Sequence, residues 1–252
     1  MNHYMLAKEK EKQEEILSEI VSLCEHIKKE SEDVWLAKQA NSIEAISYLV
    51  QQKPLEILEL LDGTIKPIVG DEVILSNAYL MKGDIKKAKS VLQISIYQYV
   101  VSLLGFAPSY LSIHMKDKEK FEIIFNRFLS ISNTFELERL RPDLLANIYY
   151  VAALAYTEQN SQEKALEMLS DYSKVCTSDN FAVALHGDSF FDSLEEWLDE
   201  FDLNKGAPRD IKVIREDVLK IIKDNPAFVS LADKPGYKNI INNLETKLNV
   251  GN

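Results

Sequence analysis

Residues 147–172, NIYYVAALAYTEQNSQEKALEMLSDY, carry the pattern that decides the fold class. A run rich in alanine and tyrosine is followed by a short polar turn, and a second run then places small and apolar residues at helical spacing. Tyr156 precedes Ala165 by nine residues, and Leu169 follows Ala165 by four. This order predicts two antiparallel helices that pack against each other through small side chains.

A second stretch, residues 72–96, EVILSNAYLMKGDIKKAKSVLQISI, repeats the same order. Tyr79, Ala88 and Leu92 have the same spacings of nine and four residues, and Gly83 supplies the turn between the runs. A weaker match, with a bulkier central residue, is formed by Tyr48, Ile57 and Leu61. This register is typical of tetratricopeptide repeats, whose stacked helix pairs bind peptides or proteins. We therefore predict an all-α fold, a degenerate tetratricopeptide-like α-α superhelix.

The rest of the chain is also predicted to be helical, because apolar residues recur three and four positions apart between the prolines. The predicted helices cover residues 4–29, 34–51, 55–61, 71–81, 84–104, a segment after 117, the pair from 142 to 176, 188–201, 210–222, 226–232 and 238–248. Loops are predicted at 67–70 and 205–208. We divide the chain into an N-terminal helix (1–30), tetratricopeptide-like repeats (31–176) and a C-terminal helical extension (177–252) packed on the repeats.

The first two helices each have an apolar stripe. On the first, Ile16, Ile20, Leu23 and Ile27 share one face, which serves either for dimerisation or for packing on the next helix. On the second, the residues predicted to face inward are Leu36, Ala40, Ile43, Ile46 (or Ala45) and Leu49. The N-terminal helix could alternatively act as a linker.

Charge and composition exclude several classes of function. The chain of 252 residues has 29 Lys and Arg against 40 Asp and Glu, a formal net charge of −11, so we expect no nucleic-acid binding by this chain alone. Its two cysteines, Cys24 and Cys176, lie far apart in sequence and outside any metal motif, which favours buried reduced thiols. The sequence shows neither a secretion signal nor a run of ~18 apolar residues. We therefore expect a cytoplasmic protein that does not enter a membrane.

The segment most similar to an enzyme site begins at His186-Gly187-Asp188 and continues with the carboxylates Asp192, Glu195 and Glu196. A histidine beside carboxylates is compatible with a metal site or an acid–base pair. A helix cap at Asp188, with Phe191, Leu194 and Leu198 facing inward, explains the same residues, and we favour it. Gly-rich phosphate loops and known hydrolase motifs are not found, so we predict no catalytic residue, metal or cofactor.

The predicted ligand site is a groove lined by the first helix of each clear pair. In a tetratricopeptide superhelix these helices form the concave face, while Tyr79, Tyr156, Ala88 and Ala165 pack inside the pairs. The predicted groove residues are Val73, Asn77, Leu80, Asn147, Tyr150, Leu154 and Thr157. The two amides can both donate to and accept from a peptide backbone. We expect a peptide, a small-molecule effector or a protein partner; a solvated groove without a ligand is the alternative.

The ordered set of segments 91–98, 141–171, 185–192 with Glu196 and Trp197, 208–210 and 225–228 resembles bacterial helix-turn-helix transcriptional regulators with tetratricopeptide-like repeats. The resemblance covers roughly residues 35–248 and implies an effector-sensing and dimerising role, with a possible homodimer. Such regulators begin with a DNA-reading domain of ~60–70 residues, whose helix–turn–basic-helix pattern is not found before the repeats here. The alternatives are a stand-alone adaptor that binds another protein and, more remotely, a hydrolase built around His186.

Overall fold

The computed structural model describes residues 4, 7, 9–62, 70–181, 184–201 and 209–248. This part of the chain contains thirteen α-helices, one 3-10 helix and no strand, which confirms the all-α prediction. The helices are α1 Lys10–Glu30, α2 Val34–Val50, α3 Pro54–Leu61, α4 Asp71–Met81, α5 Ile85–Gly105, α6 Ala107–Ile113, α7 Lys118–Thr134, α8 Leu137–Leu140, α9 Pro142–Glu158, α10 Gln162–Cys176, α11 Glu195–Glu200, α12 Ile211–Lys223, the 3-10 helix Pro226–Leu231 and α13 Pro235–Leu248. The predicted loops at 205–208 and, except for Gly70, at 67–70 lie outside the described residues.

The chain divides into two compact units, residues 1–69 and 70–252. In the N-terminal unit α1 packs along α2, and α3 packs on α2. Asp33 caps α2 by accepting hydrogen bonds from the backbone N–H groups of Trp35 and Leu36. Pro54 occupies the first turn of α3, where its missing N–H costs no hydrogen bond.

The buried face of α2 differs from the predicted stripe. Its buried residues are Ala40, Glu44, Ala45 and Ser47. Of the residues predicted to face inward, Ala40 is buried, as is the alternative Ala45, whereas Leu36, Ile43, Ile46 and Leu49 are between 39% and 66% exposed. The face that meets α1 therefore consists of small residues, which allow close approach, together with Glu44, whose Oε2 lies 2.5 Å from Lys28 Nζ of α1.

On α1 the buried residues are Leu17 and Cys24, which flank the predicted stripe. Ile16, Ile20 and Ile27 are half-buried, and Leu23 is 54% exposed. The helix therefore packs on its neighbour α2, through positions one residue along from the predicted stripe. Dimerisation through this helix stays a prediction.

The core of the C-terminal unit is built around α9 and α10. Nine residues of α9 are buried, among them three alanines in the run from Ala152 to Ala155, which allow close approach of neighbouring helices. On one side α9 packs on α6 and α8, and on another it packs on the 3-10 helix. The ring of Tyr156 meets those of Phe121 and Phe125 edge-on, and its hydroxyl donates to Glu122 Oε1 over 3.0 Å.

Four elements differ from the sequence prediction. The helix expected over 188–201 is limited to Glu195–Glu200, because the Asp188 side chain accepts from the N–H groups of Phe190 and Phe191 and holds a turn there. α6 and α8 were not predicted; α6 accommodates Pro108 in its first turn. The segment after Asn225 is a 3-10 helix, capped by the Asn225 side chain, which accepts from Ala227 N–H.

Candidate functional site

The α4–α5 pair has the hairpin geometry that its sequence predicts. Gly83 has a φ of +76°, a left-handed conformation that favours glycine, and it reverses the chain between the helices. Asp84 caps α5 by accepting from Lys87 N–H over 3.1 Å. Ala88 is buried, as predicted, and its carbonyl accepts a hydrogen bond from the hydroxyl of Ser76 over 3.2 Å.

Most of α4 lies open to solvent. Ser76 is its one buried residue, and Tyr79, predicted to be mostly buried, is only half-buried with Lys87 Nζ 5.6 Å from its ring centroid. The three groove residues predicted on this helix are exposed: Val73 by 56%, Leu80 by 49%, and Asn77 between them. Two further apolar residues, Ile74 and Met81, are 67% and 89% exposed. We call these five residues (Val73, Ile74, Asn77, Leu80 and Met81) the α4 surface.

The groove residues predicted on α9 have a different environment. Asn147 is exposed, while Tyr150, Leu154 and Thr157 are half-buried, and the Thr157 hydroxyl donates to the carbonyl of Ala153. Tyr150 is covered by the chain itself, because Asn225 Nδ2 donates to its hydroxyl over 2.7 Å. The Tyr150 ring also lies 6.3 Å from that of Phe228, centroid to centroid.

Burial raises the pKa of Tyr150, and the hydrogen bond from Asn225 opposes this shift. Tyr150 thus contributes to internal packing between α9 and the 3-10 helix. It is half-buried, which agrees with the partial exposure predicted for it, and its role in a ligand groove stays a prediction.

The two halves of the predicted groove belong to separate helix pairs. Within the described residues α4 packs principally on α5, whereas α9 packs on α10, α6, α8 and the 3-10 helix. The structure therefore does not join them through an extensive contact between α4 and α9. Of the seven predicted groove residues, Val73, Asn77 and Leu80 share an open surface.

The His186 segment is held by its own hydrogen bonds. His186 Nδ1 lies 2.8 Å from the carbonyl oxygen of Gly187, and Gly187 N–H donates to Glu195 Oε1 over 3.0 Å. A β-carbon at Gly187 would lie 2.1 Å from the carbonyl oxygen of Phe191, so this tight turn requires glycine. As predicted, Phe191, Leu194 and Leu198 are buried while the carboxylates Asp192, Glu195 and Asp199 are exposed.

Two carboxylates of this segment bind lysines of α5. Lys89 Nζ lies 2.7 Å from Asp192 Oδ2, and Lys86 Nζ lies 2.7 Å from Glu196 Oε1. Hydrogen bonds from Lys89 and Gln93 lower the pKa of Asp192, and the hydrogen bond from Lys86 lowers the pKa of Glu196. These groups therefore attach the segment to α5 as anions, which is a structural role.

Gln93 is the residue that the sequence reasoning missed. Its Nε2 donates to the carbonyl of Phe190 (2.6 Å) and to Asp192 Oδ1 (2.9 Å), while its Oε1 accepts from Ser193 N–H (2.8 Å). The signal was present, because Lys86, Lys89, Gln93 and Tyr97 recur at helical spacing on one face of α5. Below them the buried Tyr97 meets Phe191 edge-on, with ring centroids 5.5 Å apart.

Both cysteines are free and buried, as predicted. Burial raises the pKa of Cys176 to about 12, so its thiol is protonated and unreactive at neutral pH. Within the described ranges there is no group of three or more His, Cys, Asp or Glu residues that could hold a metal ion. We therefore assign the two thiols to packing.

One helical segment is longer and more apolar than the sequence analysis expected. Residues Ile85–Ile113, which comprise α5 and α6, are long and apolar enough to cross a membrane by length and composition alone. A single run of this kind is weak support for a membrane span. The cytoplasmic location stays a prediction.

Compared with protein-family models, with curated proteins and with solved structures, the chain matches none of them. The resemblance to transcriptional regulators therefore stays a prediction from the sequence.

Proposed function

We propose that this chain is a non-enzymatic, helical-repeat binding protein that recognises a peptide or a peptide-like segment of a partner on the α4 surface. The observation that supports this proposal is the exposure of large apolar side chains on α4, from 49% at Leu80 to 89% at Met81. Contiguous exposed apolar patches mark interaction sites, because soluble proteins otherwise keep such patches small. The α4–α5 and α9–α10 pairs follow the tetratricopeptide register, and we propose a degenerate superhelix of that class.

The chemistry of the α4 surface favours a short apolar segment as the ligand. Val73, Leu80 and Met81 offer apolar contacts, and Asn77 among them is exposed and can both donate to and accept from a backbone amide. These five positions carry no Lys or Arg that would bind a carboxylate terminus. An internal or uncharged apolar stretch is therefore the best fit.

We further propose that peptide binding changes helix packing in α5 and that the chain serves as the effector-sensing and dimerising part of a transcriptional regulator. A single helix connects the α4 surface to the 184–201 segment. α4 packs on α5, and α5 binds the segment through Lys86, Lys89 and Gln93. A stand-alone adaptor is the second candidate, and the same apolar surface favours it. An adaptor would bind its partner without altering the attachment of the 184–201 segment.

The binding proposal is tested with a displayed library of random peptides, selected against the purified chain. We expect enriched peptides rich in apolar residues, whose affinity, measured by fluorescence anisotropy, falls by at least about tenfold in the Asn77→Asp, Leu80→Glu variant. Val229→Glu is the matched control, since Val229 is 71% exposed on the 3-10 helix and distant in sequence from α4. Failure to enrich any peptide, or equal binding by both variants, would contradict the proposal.

Hydrogen exchange of the chain's backbone amides, measured with and without the selected peptide, then distinguishes the regulator from the adaptor. The regulator predicts altered exchange in the 184–201 segment as well as in α4, and the adaptor predicts a change in α4 alone. Fusion of the chain to an unrelated DNA-binding domain provides a second readout. A regulator should give reporter output that depends on the peptide.

A further inference from the structure

An apolar stripe runs along the outward face of α5 and α6, on the C-terminal unit. Its residues follow one another in alternating steps of four and three positions, from Leu92 to Ile113. They are Leu92 (37% exposed), Ile96 (37%), Tyr99 (44%), Leu103 (41%), Phe106 (65%), Tyr110 (42%) and Ile113 (76%). We call this set the α5–α6 stripe.

The stripe is separate from the face that these helices use in their own core. Leu104, Ala107 and Leu111 are fully buried and lie on the inward side of the same two helices. The α5–α6 stripe is therefore a second apolar face. An average step of 3.5 residues is the spacing of a coiled-coil seam, in which the same positions of two helices interlock.

The charges around the stripe favour a second copy of this chain as its partner. Residues 90–115 contain no Asp, Glu, Lys or Arg, although the whole chain carries a formal net charge of −11. Two copies would repel each other over most of their surface. At the stripe one carboxylate comes close, because the Tyr99 hydroxyl donates to Glu72 Oε1 of α4 over 3.0 Å, whereas the stripe residues from Leu103 to Ile113 lie in a segment without charged side chains of its own. A strongly charged partner would find no complementary charge on residues 90–115 themselves.

One flank of the stripe is suited to close helix contact. Ser95, Ser102 and Ser109 follow one another at intervals of seven residues, and two of them, Ser102 and Ser109, are exposed. Their side chains are small, and the Ser95 hydroxyl is already bonded to the carbonyl of Val91 over 2.7 Å. A neighbouring helix could therefore cover this hydroxyl without leaving it unpaired.

The area of the stripe is sufficient for a dimer. If each side chain has about 150–200 Å² of accessible surface, the exposed fractions correspond to roughly 500–700 Å² per copy. A symmetric pair would then bury roughly 1,000–1,400 Å², and a specific interface is expected to bury about 1,000 Å² or more. A self-complementary stripe of this kind suits a two-fold contact, in which each copy presents the same patch.

We propose that the α5–α6 stripe is the contact between two copies of this chain. The inference rests on the dimerising role in the proposed function and assigns that role to a surface. Peptide binding by the α4 surface does not depend on it, so the two proposals can fail separately.

Sedimentation equilibrium of the whole chain, without peptide, tests the inference. We expect a mass of twice 28.8 kDa for the unaltered chain. The Phe106→Glu, Ile113→Glu variant should sediment as a monomer with an unchanged circular-dichroism spectrum, because both side chains face solvent. Val229→Glu should remain a dimer. If the double variant does not fold, Ile113→Asp alone should weaken the dimer by at least about tenfold.

Three results would overturn the inference. The first is an unaltered chain that is monomeric at micromolar concentrations, and the second is a dimer that persists in the folded double variant. The third is flotation of the unaltered chain with uncharged phosphatidylcholine vesicles, lost in the double variant, since that would assign the stripe to a membrane surface.

Discussion

The α4–α5 and α9–α10 pairs share a register of nine and four residues but differ in burial. Tyr156, Ala165 and Leu169 are at most 3% exposed. In the other pair only Ala88 is equally buried, whereas Tyr79 is half-buried and Leu92 is 37% exposed. The shared spacing therefore determines how two helices form a hairpin. Burial of the outer faces depends on other elements that cover the pair.

The elements that cover α9 and α5 make different kinds of contact. α9 is covered by α6, α8 and the 3-10 helix, largely through apolar side chains and the hydrogen bond between Asn225 and Tyr150. α5 is covered on one face by the 184–201 segment, through exposed ion pairs and Gln93 as well as through Tyr97. The outer face of α4 stays open.

The largest difference between the pairs should follow truncation of the leucine at the last register position. Leu169→Ala should lower the free energy of unfolding by about 2–5 kcal/mol, because it leaves a cavity in a fully buried site. Leu92→Ala should cost about 1 kcal/mol when both leucine variants are made in the Phe106→Glu, Ile113→Glu background, because Leu92 is then partly in water and not covered by a second copy. Urea unfolding followed by far-UV circular dichroism, which reports on the helices themselves, measures both. Equal losses would show that the two pairs are packed alike.

A smaller contrast is expected when the central alanine is enlarged. Ala165→Leu should cost about 3 kcal/mol, since Ala165 is fully buried between helices that are held on several sides. Ala88→Leu should cost about 1 kcal/mol, because α4 is open on its outer face and can shift away. The same urea experiment applies, with each alanine as the control for the other. A larger loss at Ala88 would mean that α4 is fixed by contacts on its open side.

The cover over α9 can be weakened at Asn225. Asn225→Ala removes both the bond to Tyr150 and the cap on Ala227 N–H, and should cost about 1–2 kcal/mol. Asn147→Ala, at an exposed position of α9, is the matched control and should change the free energy of unfolding by less than about 0.5 kcal/mol. If both variants were equally stable, the 3-10 helix would contribute little to covering α9.

The smallest expected effect is a pH dependence of stability, which arises from the ion pair that attaches the 184–201 segment to α5. The folded-state pKa of Asp192 is lowered by Lys89, so the ion pair stabilises the folded state above the unfolded pKa of about 3.9. This contribution is lost as the pH falls through the lower, folded-state pKa. Between pH 6 and pH 3 the urea midpoint should therefore fall slightly more for the unaltered chain than for Asp192→Asn. High salt should reduce this difference, since the pair is exposed.

Sequence reasoning located the helix pairs because their ends carry local signals. Asp84 caps one helix, and Pro142 begins another, so the observed limits agree with the prediction to within one residue. It failed on the inward face of α2, where small residues and Glu44, which pairs with Lys28 of α1, take the place of the apolar stripe. A hydrophobic pattern cannot show which polar side chain will meet a partner on another helix.

The exposure of the predicted groove residues is likewise explained only in part by the pattern of one helix. Val73, Asn77 and Leu80 are exposed as predicted, but Tyr150 is covered by Asn225, which lies 75 residues later in the chain. Register on one helix gives the direction in which a side chain points. It does not give the distant segment that arrives to cover it.

The attachment of the 184–201 segment to α5 has a consequence for the order of folding. Its contacts join residues 97 to 110 positions apart, whereas Ser76 and Ala88 within the α4–α5 pair are 12 apart. Contacts between distant residues carry a larger loop-closure cost, so the helix pairs should form first and this attachment last. The same segment should be among the first to detach in the native state, by sub-global opening. Amides near Phe190 and Phe191 would then exchange with solvent while α9 and α10 remain protected, and the Lys86–Gln93 face of α5 would be transiently accessible.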